Sequence, residues 1–404
     1  MSTVYVIGAG ASYGDTLRLP TDRRAPDLTE AFAKAEFSAY RDTPADSAPG
    51  PSFRPTRRLQ KPPLASGFFD GSLLEALGYG QAEHDFGLLI DYIRCHTAPS
   101  LSKVDFGSQG WKELNIEDLF TSIEIQREFH SPESNEGARL LLTRNMLLRY
   151  IRQIIALCTL FTYGENYRKL KAGLEINDSV ITFNWDLLLD QEFIDRYDSA
   201  QVPVNQYGNF FCSAPSGIFP ESVIPPVVRG DGLFLKLHGS LNWFRCGNHR
   251  CHANARVVYL REIRACLPMS DGTTREIEVT CAHCGASMDP VMIPPVLHKR
   301  IADDPVIRSA WGLARTRLMA ATKVVVVGFS AAPTDFYAHW LLRSTVGTRE
   351  VELVVMNPDT KKEGKDHKDF TTRMRSIFRQ YDNDRLCKKL CCFSEIESVL
   401  PQRT

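Results

Sequence analysis

The sequence predicts an α/β fold in which a parallel β-sheet carries helices on both faces. Five short apolar runs have the composition of buried strands, and each is bounded by polar or small residues. Helical patterns separate the later runs, and strands that alternate with helices are typical of a parallel sheet with crossover connections. The first run, residues 4–7, breaks into the glycine-rich segment 8–12, the pattern of a buried strand that turns sharply into a helix.

A long segment of helical period follows the first strand. Residues 41–66 precede it and carry six prolines among several basic residues, which predicts a surface loop. From about residue 70 to 165, apolar residues recur at helical spacing, and Asn115 is a predicted N-cap with Asp118 three positions on. We expect a helical module, residues 67–170, inserted into a single domain that spans residues 1–404.

The remaining strand-like runs and their helices complete the predicted sheet. The runs cover residues 179–183, 233–237, 324–327 and 351–356. Helical patterns follow at about residues 185–197, 304–321 and 335–345.

The composition disfavours several classes of protein. Lys and Arg together number 48, as do Asp and Glu, so no global attraction to nucleic acid or anionic lipid is expected. No apolar run approaches the roughly 18 residues of a membrane span, and the first residues lack the features of a signal peptide. We therefore expect a cytoplasmic protein that does not bind a membrane. The net charge does not indicate direct binding to nucleic acid, so any site for a polyanion must be local.

The residues that directly follow the five runs are polar or small. Ligands of an open parallel sheet bind at the carboxyl ends of its strands, so these residues are candidates for a binding site. They are Gly8 and Gly10; Asn184, Trp185 and Asp186; His238, Gly239 and Ser240; Gly328, Phe329 and Ser330; and Asn357, Pro358 and Asp359. Their positions predict one polar site at one edge of the sheet.

Gly8 and Gly10 permit a tight turn and the close approach of a pyrophosphate to backbone amides at the start of a helix. The full dinucleotide fingerprint has a third glycine where this chain has Tyr13, and no second strand with a terminal acid follows about 20 residues on. A standard dehydrogenase is therefore disfavoured. A glycine turn without a ligand is the alternative interpretation.

Asn184, Asp186 and His238 each have a structural and a functional interpretation. Asn and Asp are preferred N-caps, and a cap explains one of the two residues more easily than both. A histidine alone is more often structural than catalytic. The position of His238 after a buried strand and before Gly239 nevertheless favours a base at the floor of a pocket.

Two cysteine pairs lie in a segment that we expect to form a small separate module, residues 241–295. A four-residue spacer separates the first pair, a two-residue spacer the second, and 29 residues lie between the pairs. Two such knuckles predict a zinc ribbon that binds one structural zinc ion through four thiolates. The predicted ligands are Cys246, Cys251, Cys281 and Cys284. Free thiols are the alternative, as is replacement of a cysteine by His249, His252 or His283.

The order of these motifs resembles that of the sirtuin superfamily. The resemblance rests on residues 8–12, 182–186 and 237–239, the two cysteine pairs and residues 328–330. Its specific features are this order and the position of the cysteines after the His-Gly pair, and it covers about residue 4 to 359. It implies a Rossmann-like sheet that binds NAD.

The resemblance also implies roles for individual residues. The proposed catalytic residues are His238 as the base, with Asn184 and Asp186 in the nicotinamide-ribose pocket. The pyrophosphate of NAD would lie against the segment formed by Gly8, Ala9, Gly10, Ala11 and Ser12. The adenosine half would lie against Gly328, Ser330 and Asn357, and Asp335 belongs to the same cofactor-binding region.

The chain departs from protein-deacylating sirtuins in two segments. Those enzymes continue from Gly-Ala-Gly-x-Ser into Gly-Ile-Pro-Asp-Phe-Arg, whereas residues 13–22 share only an apolar-Pro pair with that pattern. Residues 328–335 resemble instead the prokaryotic sirtuin-like proteins of antiviral defence that degrade NAD. We therefore expect an NAD hydrolase that forms nicotinamide and ADP-ribose. An NAD-dependent protein deacylase and a non-catalytic sensor of NAD or ADP-ribose are the alternatives.

An NAD hydrolase that is always active would be toxic to its own cell, so we expect its activity to be gated. A homo-oligomer, a companion regulatory or ATPase subunit, or a lid would serve this purpose. Residues 41–66 are the candidate lid on composition alone, and a disordered excursion without function is the alternative.

Overall fold

A computed structural model describes most of the chain between residues 2 and 401. The described residues are 2–15, 66–71, 73, 86–159, 164–175, 177–193, 232–255, 258–259, 266–268, 274–276, 280–281, 283–294, 301 and 304–401. The candidate lid, apart from Ser66, lies outside them.

The strands and helices in this part of the chain are numbered in sequence order. The strands are β1 (Thr3–Ile7), β2 (Ser179–Thr182), β3 (Phe234–Lys236), β4 (Gly239–Cys246), β5 (Val258–Tyr259), β6 (Cys266–Pro268), β7 (Thr274–Glu276), β8 (Met288–Met292), β9 (Lys323–Val327), β10 (Glu352–Met356) and β11 (Cys387–Leu390). The helices are α1 (Ala9–Asp15), α2 (Gly87–Tyr92), α3 (Gln109–Lys112), α4 (Ile116–Glu128), α5 (Asn135–Thr159), α6 (Glu165–Gly173), α7 (Leu188–Phe193), α8 (Pro305–Ala320), α9 (Phe336–Thr345) and α10 (Lys365–Ile377).

The central sheet has six parallel strands in the order β11-β10-β9-β1-β2-β3. Side chains of a strand alternate between the faces, and both faces are covered. Val4 and Val6 pack with residues of α8, α9 and α10, whereas Tyr5 and Ile7 pack with residues of α6 and α7. These contacts confirm the predicted Rossmann-like sheet with helices on both faces.

The helices between β1 and β2 share a core of their own. In it, Phe69 stacks on Tyr150 with ring centroids 4.8 Å apart, and Phe86 meets the edge of the same ring. Asn115 accepts the Glu117 N–H at 2.8 Å, which confirms the predicted N-cap of α4. The inserted helices therefore form a packed module, whose exact limits remain a prediction.

This helical core reaches the edge of the central sheet. Leu187 from the loop after β2, Leu241 from β4 and Met292 from β8 are buried in it. Strands β4 and β8 pair antiparallel and carry the cysteine module away from the sheet. In the described part of the chain no helix is both long and apolar enough to cross a bilayer.

Three elements differ from the sequence prediction. Helix α7 begins at Leu188 rather than near Trp185, because the carboxylate of Asp186 accepts the Leu188 N–H at 3.0 Å. Helix α10 and strand β11 were not predicted. Strand β11 has the sequence Cys-Lys-Lys-Leu and lies at the edge of the sheet, where an exposed and a half-buried lysine replace the apolar pattern of a buried strand.

Candidate functional site

The polar strand ends meet at the point where the strand order reverses. The chain runs outward from β1 through β2 to β3 on one side, then from β9 through β10 to β11 on the other. In sheets of this kind the crevice at the carboxyl ends of the two central strands is the usual ligand site. Gly8 follows β1 and Gly328 follows β9, so the predicted site surrounds this switch point.

The glycines at the switch point let two turns of the backbone touch. The N–H groups of Gly8 and Gly10 donate to the carbonyls of Val327 and Gly328, each at 2.9 Å. A Cβ atom on Gly10 would lie 2.8 Å from the carbonyl oxygen of Gly328. Packing therefore requires these glycines. The Ala11 N–H also donates to the Gly8 carbonyl at 3.0 Å, so three of the amides predicted to hold a pyrophosphate already have partners inside the protein. In this segment Ala9 is exposed.

Asn184 is bound to the glycine-rich turn through its side chain. Its amide nitrogen donates to the Gly8 carbonyl at 3.1 Å and to Ser12 Oγ at 3.0 Å. Because a carbonyl only accepts, the Gly8 contact fixes which end of the amide is nitrogen. The amide oxygen of Asn184 is buried and has no hydrogen-bond partner among the described residues. An unpaired buried acceptor is costly, so it is a natural position for a bound water or hydroxyl.

Helix α6 holds Asn184 in place indirectly, through Tyr167 and Ser12. The Ser12 hydroxyl that accepts from Asn184 also pairs with the Tyr167 hydroxyl at 2.8 Å. Burial raises the pKa of Tyr167 well above its usual range, so the phenol stays protonated. The carboxylate of Asp15 accepts the Tyr167 N–H at 3.0 Å and thereby ties α1 to α6, and burial raises its pKa to about 6.

Asp186 has a visible structural role. Its carboxylate caps α7, and its carbonyl accepts from the Lys236 ammonium at 2.6 Å. The same ammonium pairs with Asp190 at 2.8 Å, and both side chains are almost fully buried. Of the two residues that the sequence allowed as caps, Asp186 is therefore the cap, whereas Asn184 makes the contacts described above.

His238 lies at a sharp corner between β3 and β4. Gly239 takes a φ of +74° at this corner, and the His238 carbonyl accepts from the Trp185 indole at 3.0 Å and from the Ile293 N–H at 2.8 Å. The imidazole side chain is only 6% exposed, and its Nε2 lies 3.8 Å from the carboxylate of Asp335. The predicted base thus has a fixed backbone and an acidic neighbour.

Three aromatic rings connect His238 to the switch point. Phe183 lies 5.2 Å from the imidazole and 5.4 Å from Phe329 between ring centroids, and Trp311 lies 6.2 Å from the imidazole. Phe183 directly precedes Asn184 in the chain. We call Phe183, Trp311 and Phe329 the aromatic wall. It places apolar surface beside two of the proposed catalytic residues, His238 and Asn184.

The remaining predicted residues lie at the ends of β9 and β10. Asn357 donates from its amide to the Phe329 carbonyl at 3.3 Å and accepts the Asp359 N–H at 2.9 Å. The carbonyl of Ser330 accepts from Arg373 on α10 at 3.1 Å. These contacts place Gly328, Ser330 and Asn357 at one edge, as the sequence predicted, and also give each loop a structural anchor.

The four predicted zinc ligands come together at the end of the cysteine module. One side-chain ligand atom from each of Cys246, Cys251, Cys281 and Cys284 lies within 4.8 Å of the other three. The sulfur atoms of Cys246 and Cys284 are 3.5 Å apart, and those of Cys251 and Cys281 are 4.0 Å apart. A tetrahedral zinc ion with bonds of about 2.3 Å to sulfur separates its ligands by about 3.8 Å, so the cluster fits this metal.

Three solved structures illustrate what the chain is similar to, whereas no family model and no curated protein matches it. The first two are named as Sir2 homologues, and the third concerns a sirtuin. A Sir2 homologue in complex with NAD has 13% identity and a TM-score of 0.36, over 72% of this chain and 77% of that chain. A mutant Sir2 homologue in complex with ADP-ribose has 13% identity and a TM-score of 0.35, over 99% of this chain and 90% of that chain. A sirtuin structure that concerns the basis of substrate affinity has 13% identity and a TM-score of 0.34, over 99% of this chain and 92% of that chain. These values are low, so residue roles rest on contacts within this chain.

Backbone amides also favour a metal at the cysteine cluster. The N–H groups of His283 and Cys284 donate to the Cys281 sulfur and lower the pKa of that thiol to about 7, whereas burial raises the pKa of Cys246 to about 12. The backbone amides therefore favour a thiolate at Cys281. A thiolate is the form that binds zinc. Because four cysteines complete the set, no histidine is needed as a replacement ligand. A structural zinc ion here would close the knuckles and would leave no open position for chemistry.

We expect the purified protein to carry about one zinc ion per chain. The double change Cys281→Ser and Cys284→Ser should remove it, because two of four thiolates are lost. The double change Cys391→Ser and Cys392→Ser lies outside the cluster and should leave the zinc content unchanged. Metal analysis of the three proteins is the measurement. A wild-type protein without stoichiometric metal would refute the zinc assignment.

Several residues of the site were not found from the sequence. Tyr167 supports Asn184 through Ser12, Lys236 holds the loop after β2, and Trp311 of the aromatic wall lies beside His238. Each contributes through contacts with residues far away in the chain. No local motif marks such a residue, although a lysine in the apolar run 233–237 is an anomaly that points to a buried ion pair.

Proposed function

We propose that the protein cleaves the nicotinamide–ribose bond of NAD and transfers the ADP-ribosyl group to water. The observation that carries this proposal is the buried amide oxygen of Asn184. It has no partner among the described residues, while the amide nitrogen of the same group is held by Gly8 and Ser12. A fixed acceptor of this kind can orient a water molecule or a ribose hydroxyl at the switch point of the sheet.

Cleavage of the nicotinamide–ribose bond needs little acid catalysis. Nicotinamide leaves the pyridinium form of NAD as a neutral molecule, so the barrier lies in the oxocarbenium-like ribose and in holding the nucleophile on its opposite face. Asn184 would orient the water, and His238 would accept its proton. The products are nicotinamide, ADP-ribose and one proton.

The surroundings of His238 suit a base. The aromatic wall keeps water away from the imidazole, and the Asp335 carboxylate, 3.8 Å from Nε2, stabilises positive charge on it. Asp186 would stabilise the same region electrostatically, in addition to its role as the cap of α7. Gly8–Ser12, Gly328, Ser330, Asp335 and Asn357 remain the proposed cofactor-binding residues.

Two features support water rather than an acyl-lysine peptide as the acceptor. Residues 13–22 and 328–335 depart from the deacylase pattern. In addition, the helical module contacts the carboxyl edge, because the Thr334 hydroxyl donates to Glu117 at the start of α4 and Leu187 is buried in the helical core. These contacts favour a site that is covered from one side.

The test is product analysis with purified protein and NAD, with and without an acetylated peptide. We expect nicotinamide and ADP-ribose to form without peptide. The change His238→Ala should lower the rate at least about a hundredfold, the usual lower limit for losing acid–base catalysis. Asn184→Ala should lower it by about the same factor, because the water loses the group that orients it. Asn248→Ala, in the cysteine module, is the control and should retain the rate.

The other outcomes identify the alternatives. Turnover that requires the peptide and yields a deacylated product would show a protein deacylase. Binding of NAD or ADP-ribose without turnover, under conditions that include any partner required, would show a sensor. Wild-type rates in both Asn184→Ala and His238→Ala would contradict the proposed site.

We propose further that this activity serves antiviral defence by NAD depletion in a prokaryotic cell. The support is the resemblance of residues 328–335 to the NAD-degrading defence proteins. An NAD hydrolase with this role needs a gate, for which a homo-oligomer or a companion regulatory or ATPase subunit is the proposed means. Cellular NAD measured during phage infection, with wild-type protein and with His238→Ala, tests this role.

A further inference from the structure

The carboxylate of Asp335 lies between helix α9 and the imidazole of His238, the proposed base. One oxygen of its carboxylate accepts the Ala338 N–H at 3.3 Å and caps α9. The other oxygen lies 3.8 Å from Nε2 of His238. The side chain of Asp335 is only 13% exposed and that of His238 only 6%. A single carboxylate thus contacts both the first turn of α9 and the imidazole.

A negative charge at this distance changes the chemistry of an imidazole. Ionised groups within about 4–6 Å of one another stabilise each other's charged forms, and burial strengthens the effect. The distance exceeds that of a direct hydrogen bond, so the contact is electrostatic. Catalytic contacts are often long before the substrate binds and shorten in its complex.

The loop that carries Asp335, residues 328–335, is fixed by three other elements. Asn357 after β10 donates to the Phe329 carbonyl, Arg373 of α10 donates to the Ser330 carbonyl, and Glu117 of α4 accepts from Thr334. Within the loop, Ala331 takes a φ of +51°, which is unfavourable for a residue with a Cβ atom. These three hydrogen bonds and the unfavourable φ of Ala331 indicate that the surrounding elements hold the loop in one conformation.

We infer that Asp335 is a positioning residue for the proposed base, and that its carboxylate orients the imidazole of His238 and stabilises its protonated form. This inference deepens the proposed function and rests on it. It differs from the role implied by the sequence resemblance, which placed Asp335 among the cofactor-binding residues. The helix cap holds the carboxylate still, and the anchored loop sets its distance from the imidazole.

Other ionisable groups lie around this pair. Lys236 on β3 is engaged with Asp190, Asp186 caps α7, and His339 on α9 contacts Phe329 with ring centroids 6.4 Å apart. Burial lowers the pKa of His339, which favours its neutral form. The carboxylate of Asp335 is 3.8 Å from the imidazole, whereas Lys236 and Asp186 make their charged contacts with Asp190 and with the start of α7.

The change Asp335→Asn tests the inference cleanly, because asparagine caps helices as well as aspartate does but carries no charge. We expect the pKa of His238, followed by NMR titration of histidine-labelled protein and assigned with His238→Gln, to fall by about one unit. Asp304→Asn is the matched control, since Asp304 caps α8 in the same way and pairs with Arg245 rather than with a histidine. It should leave the His238 titration unchanged.

Turnover gives the second readout. With NAD as substrate, Asp335→Asn should lower kcat about tenfold or more with little change in KM, and Asp335→Glu should restore part of it. The acid limb of the kcat profile should move to lower pH in step with the His238 titration. A rise in KM at unchanged kcat would overturn the inference in favour of cofactor binding. An unchanged His238 pKa in folded Asp335→Asn protein would also overturn it. The titration needs no turnover, so it decides this inference even if the protein does not cleave NAD.

Discussion

Replacing Lys236 with methionine is expected to destabilise the protein by about 3–5 kcal/mol, the usual cost of leaving one partner of a buried ion pair alone. The Lys236 ammonium is buried, pairs with Asp190 at 2.8 Å and donates to the Asp186 carbonyl at 2.6 Å. Without it, the Asp190 carboxylate has neither water nor a cation. Thermal or urea unfolding measures the loss.

The pH dependence identifies the cause. Burial already raises the pKa of Asp190 in the wild type, and loss of Lys236 should raise it further. A folded-state pKa above the unfolded value means that stability falls as pH rises through that range. The deficit of Lys236→Met should therefore be larger at pH 8 than at pH 5. A deficit independent of pH would contradict an unpaired carboxylate.

Two further variants serve as controls. Lys236→Met combined with Asp190→Leu removes both charges and should recover much of the stability, because apolar residues often replace a buried ion pair without loss. Lys112→Met breaks an ion pair of 2.6 Å with Asp70 at the surface, where the lysine is 51% exposed. Its unfolding midpoint should stay close to that of the wild type.

The change Gly328→Ala is expected to cost more than about 4 kcal/mol or to prevent folding. Gly328 has a φ of +59°, and a Cβ atom there would lie 2.0 Å from the backbone nitrogen of Ala11. Both obstacles are backbone features, so no side chain can move aside to relieve them. The turn after β9 would have to separate from the turn after β1, and the switch point would open.

Gly364→Ala is the matched control for this change. Gly364 also has a positive φ, +104°, but a Cβ atom added there would meet no described residue beyond its chain neighbours within 4 Å. It should therefore cost only the backbone strain, about 1–3 kcal/mol. Unfolding measurements on the two variants separate strain from collision. Equal losses would show that the close approach of the two turns is not needed for stability.

The change Lys236→Met is also expected to affect the proposed site, because Lys236 holds the loop that contains Asn184. A single lysine in an apolar strand thus connects stability to the proposed chemistry. The ammonium draws the carbonyl of Asp186 toward β3, and His238 lies two residues beyond Lys236 on the same chain segment. Loss of Lys236 should therefore lower turnover even under conditions where the double variant with Asp190→Leu is folded.

The sequence by itself determined the strands of the central sheet other than β11, and the four cysteines. Apolar runs and cysteine spacing are local patterns, and each reports the environment of its own segment. The polar residues at the strand ends were found for the same reason. Parallel strands bring their carboxyl ends to one edge, so a residue after a strand is a site candidate before its neighbours are known.

Only the tertiary structure decided which of these residues touch. It separated Asp186, which caps α7, from Asn184, whose amide reaches Gly8 and Ser12, although both follow the same strand. It also supplied partners from distant segments, such as Tyr167 for Ser12 and Asp335 for His238. The physical reason is that a hydrogen bond or an ion pair acts over a few ångströms of space. Residues far apart in the chain come within that distance only when the sheet assembles.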